Sequence, residues 1–307
     1  MSSDFKLDFV GVGAAKAGTS WTAAILDEHP QACLGHGKEL DYFLELMPLY
    51  MQHRLGTTET RMKPKGIEWL KQQFDHCQPG QIKGEYSPRY LNDPGSPRLI
   101  HEHNPKAKLL FNFRNPTEAA YSFYHHYSAF HPVDMPFEQA IEEVPEGREY
   151  FQYINWIEKY LEYFPREQMH IVLMDDIKAD NQKVYEELCA FLEIEPVPLE
   201  ILNKRVNTAK QIRSKKMLKT FYIMHILVGK FAATRWLRDR LKYNLGAGKV
   251  WGNIKQLNIK REKYDDMPQD VREKLVETFK PANDRLAEFL GRDLDAWNDA
   301  TPKPKKK

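Results

Sequence analysis

The chain has 307 residues, 42% of them hydrophobic and 29% charged, with a net charge of only +2. That length buries a full core, the near-neutral balance gives no reason to expect a nucleic-acid partner, and without a run of about 18 apolar residues no membrane span is expected. Cys33, Cys77 and Cys189 are odd in number and far apart, with neither metal-ligand spacing nor a disulfide framework, which suits a reducing cytoplasm; the N-terminus lacks the basic and apolar regions of a signal peptide.

Phe5 to Val10 predicts a buried strand. The stretch from Gly11 to Trp21 follows as a glycine-rich turn, and Trp21, Ala24, Ile25 and Leu26 recur at helical spacing up to His29 and Pro30. Strand, turn and helix N-terminus in that order make an anion site. The first N–H groups of the helix have no partner within it, and its dipole adds partial positive charge. Lys16 brings a full charge, and Thr19 and Ser20 bring hydroxyl donors. Gly13 and Gly18 have Walker P-loop spacing, but Thr19 stands where the Walker lysine belongs; the lysine has moved into the loop, at Lys16.

Gln31 to Leu34 is a second short strand, followed by Lys38-Glu39-Leu40-Asp41-Tyr42-Phe43. Residues 66–74 read as a short amphipathic helix. Gln81 to Tyr86 predicts a strand running into Ser87-Pro88-Arg89-Tyr90. Lys106 to Phe113 is the clearest strand of all, and it delivers Arg114, a planar fork suited to phosphate, at its end. Pro116 suits the first turn of a helix that carries Ser122 two turns on. His125, His126 and His131 do not converge on one metal. The aromatic stripe of residues 150–164 reads as core. A strand over 168–174 ends in Asp175 and Asp176, a helix follows over 181–192, and a last helix is opened by Pro268 and closed by Gly291. Open α/β folds bind ligands at the C-terminal ends of strands, which makes the Lys16 loop and Arg114 two half-sites of one crevice.

Residues 204–263 hold seventeen Lys/Arg against two acids, and residues 217–245 pair an apolar face with a basic one. Three readings stay open for that stretch: a lid, a peripheral contact with an anionic membrane, or a helix packed on the domain.

Taken together, the loop with its internal lysine, Lys38-Glu39-x-x-Tyr42-Phe43, Gly84-Glu85-x-Ser87-Pro88-x-Tyr90, and Arg114-Asn115-Pro116 with Tyr121-Ser122 resemble the sulfotransferases that use 3′-phosphoadenosine-5′-phosphosulfate (PAPS). The resemblance covers about residues 8–200 and the last helix. It implies an α/β fold whose central, mainly parallel sheet is flanked by helices, as in P-loop proteins. One domain is expected over 1–307: a nucleotide-binding core (5–200), a basic helical region (204–265), a C-terminal helix (267–297) and a tail (301–307). The resemblance further implies that Lys16, Ala17, Gly18, Thr19, Ser20 and Trp21 hold the 5′-phosphosulfate, and that Arg114 and Ser122 hold the 3′-phosphate. Asn207, Lys210 and Arg213 are further nucleotide contacts. Glu39 takes the proton of the acceptor, and Lys16 stabilises the charge on the leaving phosphate. No metal is needed. The acceptor group is a hydroxyl, with an amine as the second choice, and a saccharide, a lipid or polyketide, and a small metabolite all stay open as its carrier. Lys38 either helps hold the phosphosulfate or steadies Glu39, and Glu85 either orients Lys16 or Glu39 or makes a structural hydrogen bond. Tyr86 stands where many relatives have lysine, and Asp41 where many have histidine. The competing readings are a P-loop nucleoside-phosphate kinase and a non-enzymatic protein of the membrane surface.

Overall fold

The computed structural model describes residues 5–47, 60–128, 135–143, 145–203, 211–212, 259–260 and 265–301. Five parallel strands form the central sheet: β1 (Phe9–Gly13), β2 (Ala32–Leu34), β3 (Ile82–Tyr86), β4 (Lys108–Phe113) and β5 (Met169–Leu173), in the order β2-β3-β1-β4-β5. The helices are α1 (Thr19–Glu28), α2 (Ile67–Gln72), α3 (Ser96–His103), α4 (Pro116–Ser128), α5 (Phe137–Glu143), α6 (Pro145–Glu149), α7 (Tyr153–Leu161), α8 (Met174–Ala179), α9 (Asn181–Leu192) and α10 (Gln269–Leu290). Gln211–Ile212 and Ile259–Lys260 form a small antiparallel pair.

Strand alternation sorts the core into two layers. Val10, Val12, Leu109, Phe111 and Phe113 pack on one face with Ile157 and Tyr160 of α7 and Phe279 of α10. Phe9, Leu110 and Val172 pack on the other with Ile25 of α1 and Tyr185 and Leu188 of α9. α10 begins after Pro268 and ends at Gly291, which takes the left-handed conformation at φ 64°. The aromatic stripe of α7 is core, with Tyr153, Ile154, Ile157 and Tyr160 buried. Among the described residues, no helix is long and apolar enough to cross a membrane.

Two expectations are corrected. The first strand begins at Phe9, not Phe5, and takes in Gly11 and Gly13, so the turn is only Ala14 to Gly18. The cause is cross-strand packing. Gly11 pairs with Tyr86, and a Cβ there would lie 2.2 Å from the tyrosine ring; Gly84 pairs with Phe9, and a Cβ there would lie 2.3 Å from that ring. Each glycine leaves room for an aromatic ring across the ladder. Secondly, Cys33 of β2 and Cys77, just beyond α2, are joined in a disulfide, with Cα atoms 5.8 Å apart. Their separation of 44 residues hid a pairing that only the return of the chain after α2 creates. The reducing compartment, inferred from cysteines without partners, loses that support.

Candidate active site

The turn Ala14–Gly18 leaves the end of β1 and is fastened from both sides. The Ala14 N–H donates to the Asn112 carbonyl of β4 at 2.7 Å, and the Ala15 N–H to the Tyr150 hydroxyl at 2.7 Å. Lys16 and Gly18 both have positive φ, 65° and 97°, so the turn curls back over the helix entrance. A Cβ on Gly18 would sit 3.1 Å from Met174 Sδ. Gly18 is the N-cap of α1, with no side-chain capping hydrogen bond. The Trp21 N–H turns back to the Gly18 carbonyl at 2.8 Å, and its side chain is buried in the core layer shared by Phe9 and Tyr86, so Trp21 faces inward. Ala17 is buried, while Thr19 and Ser20 open the helix.

Lys38 reaches this helix entrance from the loop after β2. Its Nζ donates to Thr19 Oγ1 at 3.0 Å and to Ser20 Oγ at 3.1 Å. Burial, with the nearby charges of Lys16 and Arg89, outweighs the pull of Glu39 and lowers the Lys38 ammonium to about 8. Lys38 thus stands between the helix entrance and Glu39.

Arg114 closes the crevice from the end of β4. Its Nη1 lies 3.5 Å from the Lys16 carbonyl, and its Nη2 3.6 Å from Glu118 Oε2. The Tyr153 hydroxyl donates to the Arg114 carbonyl at 3.0 Å, and Arg272 of α10 takes the other oxygen of Glu118 at 2.8 Å. Ser122 is buried on α4, two turns beyond the end of β4. Arg213, Asn207, Lys210 and the stretch 217–245 lie outside the described residues.

Glu39 sits at the rim beside the turn after β3. Its N–H donates to the Tyr86 carbonyl at 3.0 Å, which ties the loop to the end of β3, and both Glu39 and Asp41 have positive φ, 67° and 53°. Arg89 joins the two acids: Nη1 lies 3.0 Å from Glu39 Oε2, while Nε and Nη2 grip both Asp41 oxygens. Burial raises the Asp41 carboxyl, and Arg89 opposes that rise. Beneath them Glu85 is fully buried, accepting from Ser87 Oγ at 2.8 Å and from the Tyr90 hydroxyl, and burial pushes its carboxyl up to about 7. Ser87 Oγ also accepts the Asp41 N–H at 3.1 Å. Glu85 therefore braces the loop from below. Tyr86 packs on Gly11 and donates to Asn112 Oδ1. Sequence reading missed Arg89; its signal was an arginine in the turn at a strand's C-terminal end, the edge where the site lies. Asp175, at the end of β5, accepts from the Trp297 indole at 3.0 Å and pairs with Lys178.

With this geometry, the comparisons agree. The sulfotransferase domain model matches residues 6–287. The bifunctional heparan sulfate N-deacetylase/N-sulfotransferase 1 of Caenorhabditis elegans is 23% identical over 92% of this chain, which spans only 29% of that enzyme. The heparan sulfate glucosamine 3-O-sulfotransferase 5 of Mus musculus is 25% identical over 92% of this chain and 72% of its own length. A sulfotransferase from Alicyclobacillus acidocaldarius superposes with a TM-score of 0.65 at 22% identity, over 96% of this chain and all of the other, and so shares its fold. A turn built for an anion, a cationic fork across from it and a match over nearly the whole chain lead to one assignment: this chain belongs to the sulfotransferase family and is an enzyme of that kind.

Proposed function

We propose that this enzyme moves a sulfuryl group from PAPS to a hydroxyl of a saccharide, with Glu39 as general base. The observation that carries the reading is the approach of Arg114 Nη1 to the Lys16 carbonyl, 3.5 Å away. It sets a guanidinium for one phosphate beside a loop for another, as a nucleotide with phosphates at both ends requires. The residues fit that donor. The entrance of α1 lacks a side-chain cap, Lys38 spans the Thr19 and Ser20 hydroxyls, and a glycine holds the turn where a Cβ would crowd Met174. The saccharide acceptor is supported by the two relatives whose names specify heparan sulfate. Membership of the family removes the ground for the kinase and for the non-enzymatic binding protein.

Arg89 holds Glu39 by Oε2, and Oε1 is the atom to which we assign the acceptor's proton. As the acceptor oxygen bonds to sulfur, the bond from sulfur to the phosphate oxygen breaks in line. The charge left on that oxygen is met by Lys16, Lys38 and the N–H groups of the turn. Glu39 then releases the proton to solvent.

Calorimetric titration with 3′-phosphoadenosine-5′-phosphate, beside ATP with Mg²⁺, tests the donor. The expected result is binding of the 3′-phosphorylated nucleotide that Arg114→Ala weakens. Preference for ATP, or no nucleotide bound by the folded chain, overturns the reading.

A further inference from the structure

The disulfide joins the edge strand β2 to the segment after α2, and a histidine stands against it. His76 Nε2 is 3.5 Å from Cys33 Sγ, and the ligand atoms of Cys33, His76 and Cys77 all lie within 4.8 Å of one another. Behind His76, Asp75 Oδ1 faces the other ring nitrogen, Nδ1, at 3.9 Å and also holds His36 Nε2 at 2.5 Å. The His36 and His76 rings stack with centroids 4.1 Å apart. Nothing in sulfuryl transfer uses these groups.

We propose that Cys33, Cys77 and His76 form a zinc site when the disulfide is reduced, so that this edge of the sheet is closed either by a sulfur–sulfur bond or by a metal ion. Two thiolates and an imidazole are the donor set that selects Zn²⁺ over harder cations. Tetrahedral zinc places a sulfur and a nitrogen ligand about 3.6 Å apart and two sulfurs about 3.8 Å apart. The sulfur–nitrogen spacing is already 3.5 Å. With the Cα atoms 5.8 Å apart, rotation about the two χ1 bonds parts the sulfurs without moving the backbone. Asp75 Oδ1, 3.9 Å from Nδ1, is a side-chain rotation away from the hydrogen bond by which a carboxylate orients a ligating histidine. Cys33 is buried, Cys77 half-buried and His76 exposed, so the fourth position opens to water.

The chemistry balances with a dithiol or phosphine as reductant. Two electrons and two protons convert the disulfide to two thiols while the reductant is oxidised. Zn²⁺ then displaces both thiol protons to solvent.

The test is anaerobic titration of the full chain with Co²⁺, after phosphine reduction and, separately, oxidised. The reduced chain is expected to take one equivalent with thiolate charge-transfer and tetrahedral d–d bands that Zn²⁺ abolishes; the oxidised chain is expected to show neither band. Asp75→Asn should weaken Zn²⁺ by ~10-fold, and His76→Ala or Cys77→Ser by more than ~100-fold. These exposed and half-buried positions are chosen because Cys33→Ser alters the buried core; circular dichroism confirms that each variant folds. The proposal is overturned if the folded chain keeps its disulfide under the phosphine. It is equally overturned if the reduced chain gives no charge-transfer band, or if Cys77→Ser binds Co²⁺ as the wild type does.

Discussion

The two halves of the crevice are built from different materials. The half to which we assign the donor is mostly main chain: the turn Ala14–Gly18, tied to β4 through the Asn112 carbonyl, the entrance of α1 and the end of β4. The half to which we assign the base is mostly side chain: Glu39 and Asp41 on one loop, Arg89 on another, and the buried Glu85 beneath. Main-chain sites depend on local geometry, so a single substitution weakens binding and leaves the frame intact. Side-chain clusters depend on partners, so a single substitution strands the others.

The sharpest separation of the halves is Glu39→Gln. It is expected to lower turnover by 10²–10⁴, on the order expected for losing a general base, while calorimetric affinity for 3′-phosphoadenosine-5′-phosphate is unchanged. Unchanged turnover would remove Glu39 as base. Arg114→Ala is the mirror case: nucleotide affinity falls about 10–100-fold through loss of charge-assisted hydrogen bonds, and the denaturant midpoint moves little.

Arg89→Ala tests whether the base half is one unit. It frees Glu39 and leaves the Asp41 carboxylate buried without its guanidinium. The stability cost is on the order of 2 kcal/mol, below that of a fully buried pair because the Arg89 side chain is 27% exposed. Urea unfolding reads that cost, and Arg89→Lys should recover only part of it, since one ammonium nitrogen cannot reproduce the two-point grip of Nε and Nη2 on Asp41 together with the Nη1 contact to Glu39. A drop in turnover without a drop in stability would show that Asp41 does not depend on Arg89.

Two smaller effects are read against pH. Lys38, lowered to about 8, is charged below that value and neutral above it, so nucleotide affinity should fall as pH rises through 8. In Lys38→Met that limb should vanish. Glu85 is raised from 4.5 to about 7, so between those values the folded chain keeps a proton that the unfolded chain has released. Its contribution to stability is therefore present at low pH and is lost as pH rises to about 7. Glu85→Gln should flatten that slope in thermal unfolding across the window; an unchanged slope would place its origin elsewhere.

The donor half was legible in the sequence because its parts are contiguous. Lys16 through Ser20 are consecutive residues between β1 and the first turn of α1, and Arg114 directly follows β4, so strand-end position and residue type singled out both segments before their approach was visible. The α/β class and α10, with its proline start and glycine stop, were legible for the same local reason. Gly11 and Gly13 were placed in the turn and belong to β1. Gly11 leaves room for the ring of Tyr86 on the neighbouring strand, and a ladder register is not written in either strand alone. Arg89, 48 residues from Asp41, and Cys77, 44 residues from Cys33, escaped notice in the same way. The sequence by itself determined the α/β class and the strand–turn–helix order that brings Lys16 to a helix entrance, because both follow from local pattern. Only the tertiary structure decided which distant side chains share a charge or a sulfur bond, because those pairings depend on where the sheet order β2-β3-β1-β4-β5 returns the chain.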